Sequence, residues 1–281
     1  MTSGRFPHVR ILVVGGSGLL GTEVARQARD AGDRVVVTYR TRRPSTVDAE
    51  HHQLDLRDQQ RTRLLLAELQ PELIINAAYQ QHDWASTAVG PVSLAQAIPD
   101  RSTRLVHVSS DAVFSGKDVH YDEAATPDPI TPYGAAKAAA ETAITAIYPS
   151  AVIARTSLII GTRDSPQERL VHSLATGKQL GVLFTDDVRC PVHVHDLASA
   201  LLELGRSDQT GIHNVAGADA ITRYDMGLLI AIRDGLDPQA IRPGLRAEAN
   251  LPGPSDIRLD SARTQDLLRT RLRGATEFLS L

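Results

Sequence analysis

Tyr133 and Lys137 stand four residues apart in Tyr-Gly-Ala-Ala-Lys, which puts a phenol and an ammonium one turn apart on the same helix face. Such a pair suits proton transfer. An adjacent positive charge favours phenolate and lowers a phenol pKa that otherwise lies at about 10. The spacing alone is common, but here it follows two other patterns in order. The first is Gly15-Gly16-Ser17-Gly18-Leu19-Leu20-Gly21 and the second is Ser109-Ser110-Asp111. Gly15 permits a tight turn, Gly18 lets backbone approach a pyrophosphate, and Gly21 lets a helix pack on the preceding strand. Ser17, Leu19 and Leu20 complete a helix start whose N–H groups face phosphate oxygens. Ser110 would orient a substrate oxygen, Tyr133 would supply the proton, and Lys137 would also hold the nicotinamide ribose. The order predicts a nicotinamide-dependent enzyme that moves a hydride to or from a carbon bearing oxygen.

Further residues divide between cofactor and substrate. After the second predicted strand comes Tyr39-Arg40-Thr41-Arg42-Arg43, where an NAD binder usually carries Asp or Glu. Arg40, with Arg42 and Arg43 helping, suits a 2′-phosphate through bidentate bonds, so NADPH is the expected cofactor. A solvated basic loop is the plain alternative. Asp55, next to Leu56, could accept from the adenine amino group, with a surface-turn aspartate as the plain alternative. Ala77 and Ala78, in Asn76-Ala77-Ala78, are small enough to let backbone run beside a cofactor. Trp84, Asp111, Leu158 and Arg189 are placed on the substrate side, Trp84 either lining the pocket or simply packing. His193 and His195 alternate as metal ligands on a strand would, but they lack a third ligand nearby, so no metal is expected and His195-Asp196 is read as a cap for a helix over Leu197–Leu204.

These residues need elements to hold them. Val9–Val14, Arg34–Tyr39, Leu73–Ile75, Leu105–Val108 and Val152–Ala154 read as five strands apolar on both faces. Helical patterns lie between them, at Leu19–Ala31, Leu64–Leu69, Ser93–Ile98 and Tyr133–Ile147. That alternation predicts an α/β fold, a doubly wound parallel Rossmann sheet. Beyond Gly161 segments shorten and the loops Thr162–Glu168 and Pro238–Asp256 lengthen. We therefore expect a Rossmann domain over 1–160. Residues 161–281 are expected to form mainly a smaller substrate-binding lobe, some segments of which return to the sheet.

Composition excludes several classes. The chain has 281 residues, 42% of them hydrophobic, and a net charge of -3, which points to no nucleic-acid or membrane partner. One cysteine, Cys190, rules out an internal disulfide framework. Met1–His8 lacks the apolar core of a signal peptide, and no apolar run reaches the roughly 18 residues of a membrane span. A cytoplasmic protein is expected.

Taken together, Gly-x-x-Gly-x-x-Gly, Asn-Ala-Ala, Ser109–Gly116, Tyr-Gly-x-x-Lys and Arg155-Thr156-Ser157 resemble the extended short-chain dehydrogenases/reductases. Within them the chain looks like the dTDP-4-dehydrorhamnose reductase family, which Gly211–Gly217 and Arg258-Leu259-Asp260 support. The resemblance implies NADPH-dependent reduction of a 4-keto nucleotide sugar, with Ser110, Tyr133 and Lys137 catalytic, and relatives that often dimerise imply a homodimer. Thr87, Ala112 and Leu158 depart from the family pattern, all on the expected substrate side. Three alternatives stay open: a reductase of another small carbonyl compound, an NADP-binding regulatory subunit resembling that of methionine adenosyltransferase, and an epimerase or dehydratase of the same superfamily.

Overall fold

The computed structural model describes residues 9–44, 49–161, 163–249 and 251–280. The expectation for Met1–His8 lies outside the described residues, as do Thr162 and Asn250 of the two long loops.

Seven strands form the central sheet: β1 (Arg10–Val14), β2 (Arg34–Tyr39), β3 (Glu50–Gln53), β4 (Leu73–Asn76), β5 (Arg104–Val108), β6 (Val152–Arg155) and β7 (Gly211–Asn214). Their order is β7-β6-β5-β4-β1-β2-β3, and every pairing is parallel. Helices cover both faces, so β1, β4 and β6 can be almost entirely apolar and buried. β3, Glu-His-His-Gln, was not anticipated. It is an edge strand paired only with β2, and a half-exposed edge needs no apolar run.

Helices α1 (Leu19–Asp30), α2 (Gln59–Leu69), α3 (Gly90–Ala97), α4 (Pro132–Ile147), α5 (Pro166–Ala175), α6 (Val194–Arg206) and α7 (Arg223–Arg233) follow in the chain. In α1, Leu20, Gly21, Val24, Ala25 and Ala28 form one buried stripe. That stripe meets the apolar side of α6 on one sheet face. α2, α3 and α4 cover the other face. α5 and α7 build a smaller core of their own from Val171, Leu174, Met226 and Ile230, joined by Leu183 and Phe278. α6 begins at Val194, earlier than expected, and its cap is His193, whose side chain accepts from the His195 N–H. His195-Asp196 therefore is not the cap. Asp196 lies in the first turn and takes the Arg273 guanidinium at 2.8 Å. With one histidine on a short strand and the other inside the helix, the alternating-strand argument for a His193/His195 pair also fails.

The strand order reverses between β1 and β4. Successive connections leave this point in opposite directions, which opens a crevice at the carboxyl ends of the two strands. The glycine turn follows β1, Ala77 follows β4, and Ser110 lies just past β5, so the fold brings all three motifs to one rim.

Candidate active site

The rim carries an open cleft of about 1650 Å³, large enough for a dinucleotide and a second ligand together. Its cofactor half is made mostly of backbone. Gly15 has φ +87°, and a Cβ there would come within 2.8 Å of the Ala78 backbone nitrogen. A Cβ on Gly21 would lie 2.3 Å from the Gly15 carbonyl oxygen. The two turns and the start of α1 are thus packed backbone to backbone, with no room for side chains. Gly18 caps α1 and offers no side-chain acceptor, so the first-turn N–H groups stay available to an anion. This cradle fits a nicotinamide dinucleotide: Ser17 to Gly21 would hold its phosphates, while Ala77, Tyr133 and Lys137 line the cleft further in.

Tyr133 and Lys137 reach the cleft because α4 starts where it does. Thr131 caps it by accepting from the Gly134 N–H at 3.1 Å, and Pro132 sets the first turn. A Cβ on Gly134 would lie 2.0 Å from the Ala112 carbonyl oxygen, so only glycine lets α4 settle on the segment after Ser110. Below the site, Glu141 takes both Arg155 and the Ser109 hydroxyl. Arg155 is fully buried and bonds through Nε and Nη2, the latter at 2.9 Å. This buried pair fixes α4 against β6 and engages the Ser109 hydroxyl, while Ser110 next to it also lines the cleft.

The electrostatics correct one expectation. Lys137 was expected to lower the Tyr133 pKa. Instead its Nζ donates to the Val108 carbonyl at 2.9 Å and lies 5.3 Å from the centre of the Tyr79 ring. Burial raises the Tyr133 pKa well above the usual value; Tyr79 and Asp111 add to the shift, and a hydrogen bond with Ser110 opposes it. Desolvation dominates, and Tyr133 is held as the neutral, proton-bearing phenol. Burial also lowers Lys137 to about 8, with Glu141 opposing. Tyr79 packs its ring 5.7 Å from that of Tyr133. Its place just after β4, at the crevice, was the signal that could have found it.

The substrate half is made of side chains instead. Ser110 Oγ donates to Asp111 Oδ1 at 3.2 Å, and Ser157 Oγ donates to Asp111 Oδ2 at 2.7 Å. Arg189 Nε stands 3.6 Å from the same carboxylate. Behind Arg189, buried Asp187 receives Arg189, Arg223 and Arg246 together. Ser157, Asp187, Arg223 and Arg246 were not anticipated. Ser157, Asp187 and Arg246 come from three separate loops and Arg223 from the first turn of α7, and no single motif or period links the four.

Of the expected residues, the cleft wall brings together Ser17, Gly18, Leu19, Leu20, Gly21, Arg42, Ala77, Trp84, Ser110, Asp111, Tyr133, Lys137, Leu158 and Arg189. Gly15 and Ala78 sit behind that wall as its packing. Arg40 and Arg43 stand outside it, so Arg42 replaces Arg40 as the best placed of the three. Asp55 is occupied by Arg57, whose guanidinium holds its carboxyl below the usual range. Leu56 is buried against Gly90. Trp84 is 52% exposed in the cleft and does not serve as core. Thr87 was placed on the substrate side, but it is buried and closes a loop: its Oγ1 accepts from the Gln80 N–H and donates to the Gln80 carbonyl. Among the described residues no group of three or more His, Cys, Asp or Glu is arranged to hold a metal ion, and no helix is long and apolar enough to cross a membrane.

Comparison with known proteins places the chain in a family. The family model described as RmlD substrate binding domain matches residues 9–279. A Haloferax volcanii protein described as a probable low-salt glycan biosynthesis reductase, Agl14, is 34% identical over 257 residues, covering 85% of each chain. The dTDP-4-dehydrorhamnose reductase of Mycolicibacterium smegmatis is 30% identical, over 96% of this chain and 84% of its own. The solved dTDP-4-dehydrorhamnose reductase of Bacillus anthracis, in complex with NADP, superposes with a TM-score of 0.81 at 20% identity, over 97% of each chain. With residues 9–279 matched by the family model, the chain belongs to the RmlD substrate binding domain family, that of the dTDP-4-dehydrorhamnose reductases.

Proposed function

We propose that this protein is an NADPH-dependent reductase of a 4-keto deoxysugar carried on a nucleoside diphosphate, with Tyr133 as the proton donor. The observation that carries the reading is the convergence of Ser110, Tyr133 and Lys137 on a cleft whose other end is the glycine cradle. When bound, NADPH supplies the hydride that reduces the carbonyl carbon. Ser110 hydrogen-bonds the carbonyl oxygen and orients it. Tyr133, held as a phenol by burial, gives its proton to that oxygen as negative charge develops. Lys137, buried and partly titratable near neutrality, keeps a positive charge beside the reacting oxygens and the ribose. Tyr79 and Trp84 shield the mouth of the cleft.

The test is Tyr133→Phe. Turnover of a dTDP-4-keto sugar is expected to fall by about 10²–10⁴-fold, the usual worth of a positioned general acid. NADP+ binding, followed by calorimetry, should survive. Unchanged turnover would remove Tyr133 from the mechanism. Cofactor binding by wild-type protein with no turnover across a panel of 4-keto sugars would instead favour the regulatory-subunit reading.

A further inference from the structure

Three guanidiniums converge on one carboxylate in the substrate half of the cleft. Asp187 is only 2% exposed. It accepts from Arg246 Nη1 at 2.9 Å and from Arg223 Nε at 3.4 Å, and Arg189 Nη1 stands 2.8 Å from it. Like charges gathered in a desolvated place repel one another unless an anion joins them. The three arginines differ in how well they are satisfied. Arg189 is saturated: besides Asp187 and Asp111, it donates to the carbonyls of Val188, Ser255 and Pro254. Arg246 donates Nη2 to the Pro252 carbonyl and lies against Gly253, where a Cβ would come within 2.6 Å of it. Its Nε is buried with no partner among the described residues. Its neighbour Asp186 is engaged by the backbone N–H groups of Arg246 and Ala247.

Arg223 is the unsatisfied one. The long Nε bond to Asp187 is the only hydrogen bond its guanidinium makes among the described residues, and it lines the cleft. Burial, with Arg189 adding to it, pushes its pKa below the usual arginine value, although Asp187 opposes this. That is the mark of a charge with too little counter-charge.

We propose that Arg223, backed by Arg246, is the phosphate-binding, specificity-determining residue of the substrate half, and that it takes the diphosphate of a nucleoside-diphosphate substrate. Arg189, placed on the substrate by sequence alone, is instead a fixed strut. The proposal rests on the reductase reading for the identity of the sugar, but not for the diphosphate. The geometry suits such a molecule. Contacts run from Tyr133 through Ser110 and Asp111 to Arg189, then through Asp187 to Arg223. A nucleotide sugar likewise carries its reducible carbon and its diphosphate on opposite sides of the ring. A planar guanidinium with two free terminal nitrogens matches two phosphoryl oxygens at once.

The experiment compares thymidine 5′-diphosphate, thymidine and NADP+ as ligands of wild-type protein, Arg223→Gln and Arg223→Lys, by calorimetry at one fixed ionic strength. In Arg223→Gln the diphosphate is expected to bind about tenfold or more weakly, the usual loss for a charged hydrogen-bond partner. Thymidine and NADP+ should bind as in wild type. Arg223→Lys, which keeps the charge but loses the fork, should fall between. Equal diphosphate affinity in all three proteins overturns the proposal. So does a parallel loss of thymidine affinity, which would place Arg223 in the fold and not at the phosphates. Kinetics separate the two readings: Arg223→Gln should raise KM for a dTDP-4-keto sugar far more than it lowers kcat. Failure of the reductase reading would show as no turnover with diphosphate binding still dependent on Arg223. Failure of this proposal would show as turnover by Arg223→Gln at an unchanged KM.

Discussion

The two halves of the cleft are built from different materials. The cofactor half is a backbone surface: Gly15, Gly18 and Gly21 remove side chains so that one turn can lie on another. The substrate half is a lattice of charged side chains, in which Asp111 and Asp187 hold Arg189, Arg223 and Arg246. A backbone cradle works by shape and tolerates little change, and it contributes no charge that must be balanced. A charge lattice must stay balanced or it destabilises the protein that contains it. The first kind of site can be shared by every member of a family that binds one cofactor. The second kind can be altered residue by residue to suit a different substrate.

The largest expected effect comes from unbalancing the lattice. Asp187→Ala leaves three guanidiniums facing one another with their shared carboxylate removed. We expect a loss of about 3–5 kcal/mol in unfolding free energy, as when one partner of a buried pair is deleted. Urea unfolding of cofactor-free protein measures it. NADP+ affinity of the fraction still folded should stay at the wild-type value, because the glycine cradle does not touch Asp187. If NADP+ affinity falls in step with stability, the halves are not independent and the contrast between them breaks.

The same contrast explains what sequence could and could not reveal. The cofactor half lies within residues 15–21 and 77–78, and its function depends on glycine and alanine at fixed spacing. Local spacing is what a sequence displays. The sheet was legible for a similar reason, since strands buried on both faces must be apolar. β3 escaped because an edge strand need not be. The substrate half joins residues 111, 157, 187, 189, 223 and 246, which meet only after the chain has folded. Arg189 looked like a ligand because nothing in the sequence shows that three carbonyls and two carboxylates already take it. Thr87 looked like a substrate residue because it departs from the family pattern on the expected substrate side. Its hydroxyl in fact closes a turn on Gln80. The Tyr133/Lys137 pair was found from spacing, but its electrostatics were not, because burial is a property of the assembled cleft.

Lys137 sits where the halves meet and sharpens the comparison through pH. Burial holds its folded pKa at about 8, against 10.5 when free. Below about pH 8 the lysine is protonated in both folded and unfolded chains, and the full cost of burying the charge is present. Between about pH 8 and 10.5 the folded protein has lost a proton that the unfolded chain still holds. Stability contributed by this group therefore rises with pH, by up to about 3 kcal/mol. Lys137→Met should abolish that rise. Cys190, pushed up to about 11 by burial, acts in the opposite direction above about pH 9, but it is present in both proteins and cancels in the difference. Unfolding of cofactor-free wild type and Lys137→Met at pH 7, 8.5 and 10 gives the answer. Parallel curves would show that Lys137 is better solvated than its position suggests.

The smallest expected effect lies at the one place where the cofactor half uses charge. Arg42 lines the cleft, while Arg40 and Arg43 stand outside its wall. If Arg42 contacts a 2′-phosphate, wild-type protein should bind NADPH at least tenfold more tightly than NADH, or about 1.4 kcal/mol. Arg42→Ala should erase most of that preference, and Arg43→Ala should leave it nearly intact. Arg42 is exposed, unlike the arginines around Asp187, so its contribution should shrink as salt rises from about 0.05 to 0.5 M. Diphosphate binding at Arg223, which is only 25% exposed, should shrink less over the same range. Binding of NADP+ and NAD+ to wild type and both variants at the two salt concentrations separates these cases. Equal affinity of the wild type for the two cofactors would refute a role for the arginines. An equal loss from Arg42→Ala and Arg43→Ala would mean that the loop acts as a diffuse positive field. In that case the cofactor half would read its ligand by shape alone, and all site-specific recognition of charge would fall to the substrate half.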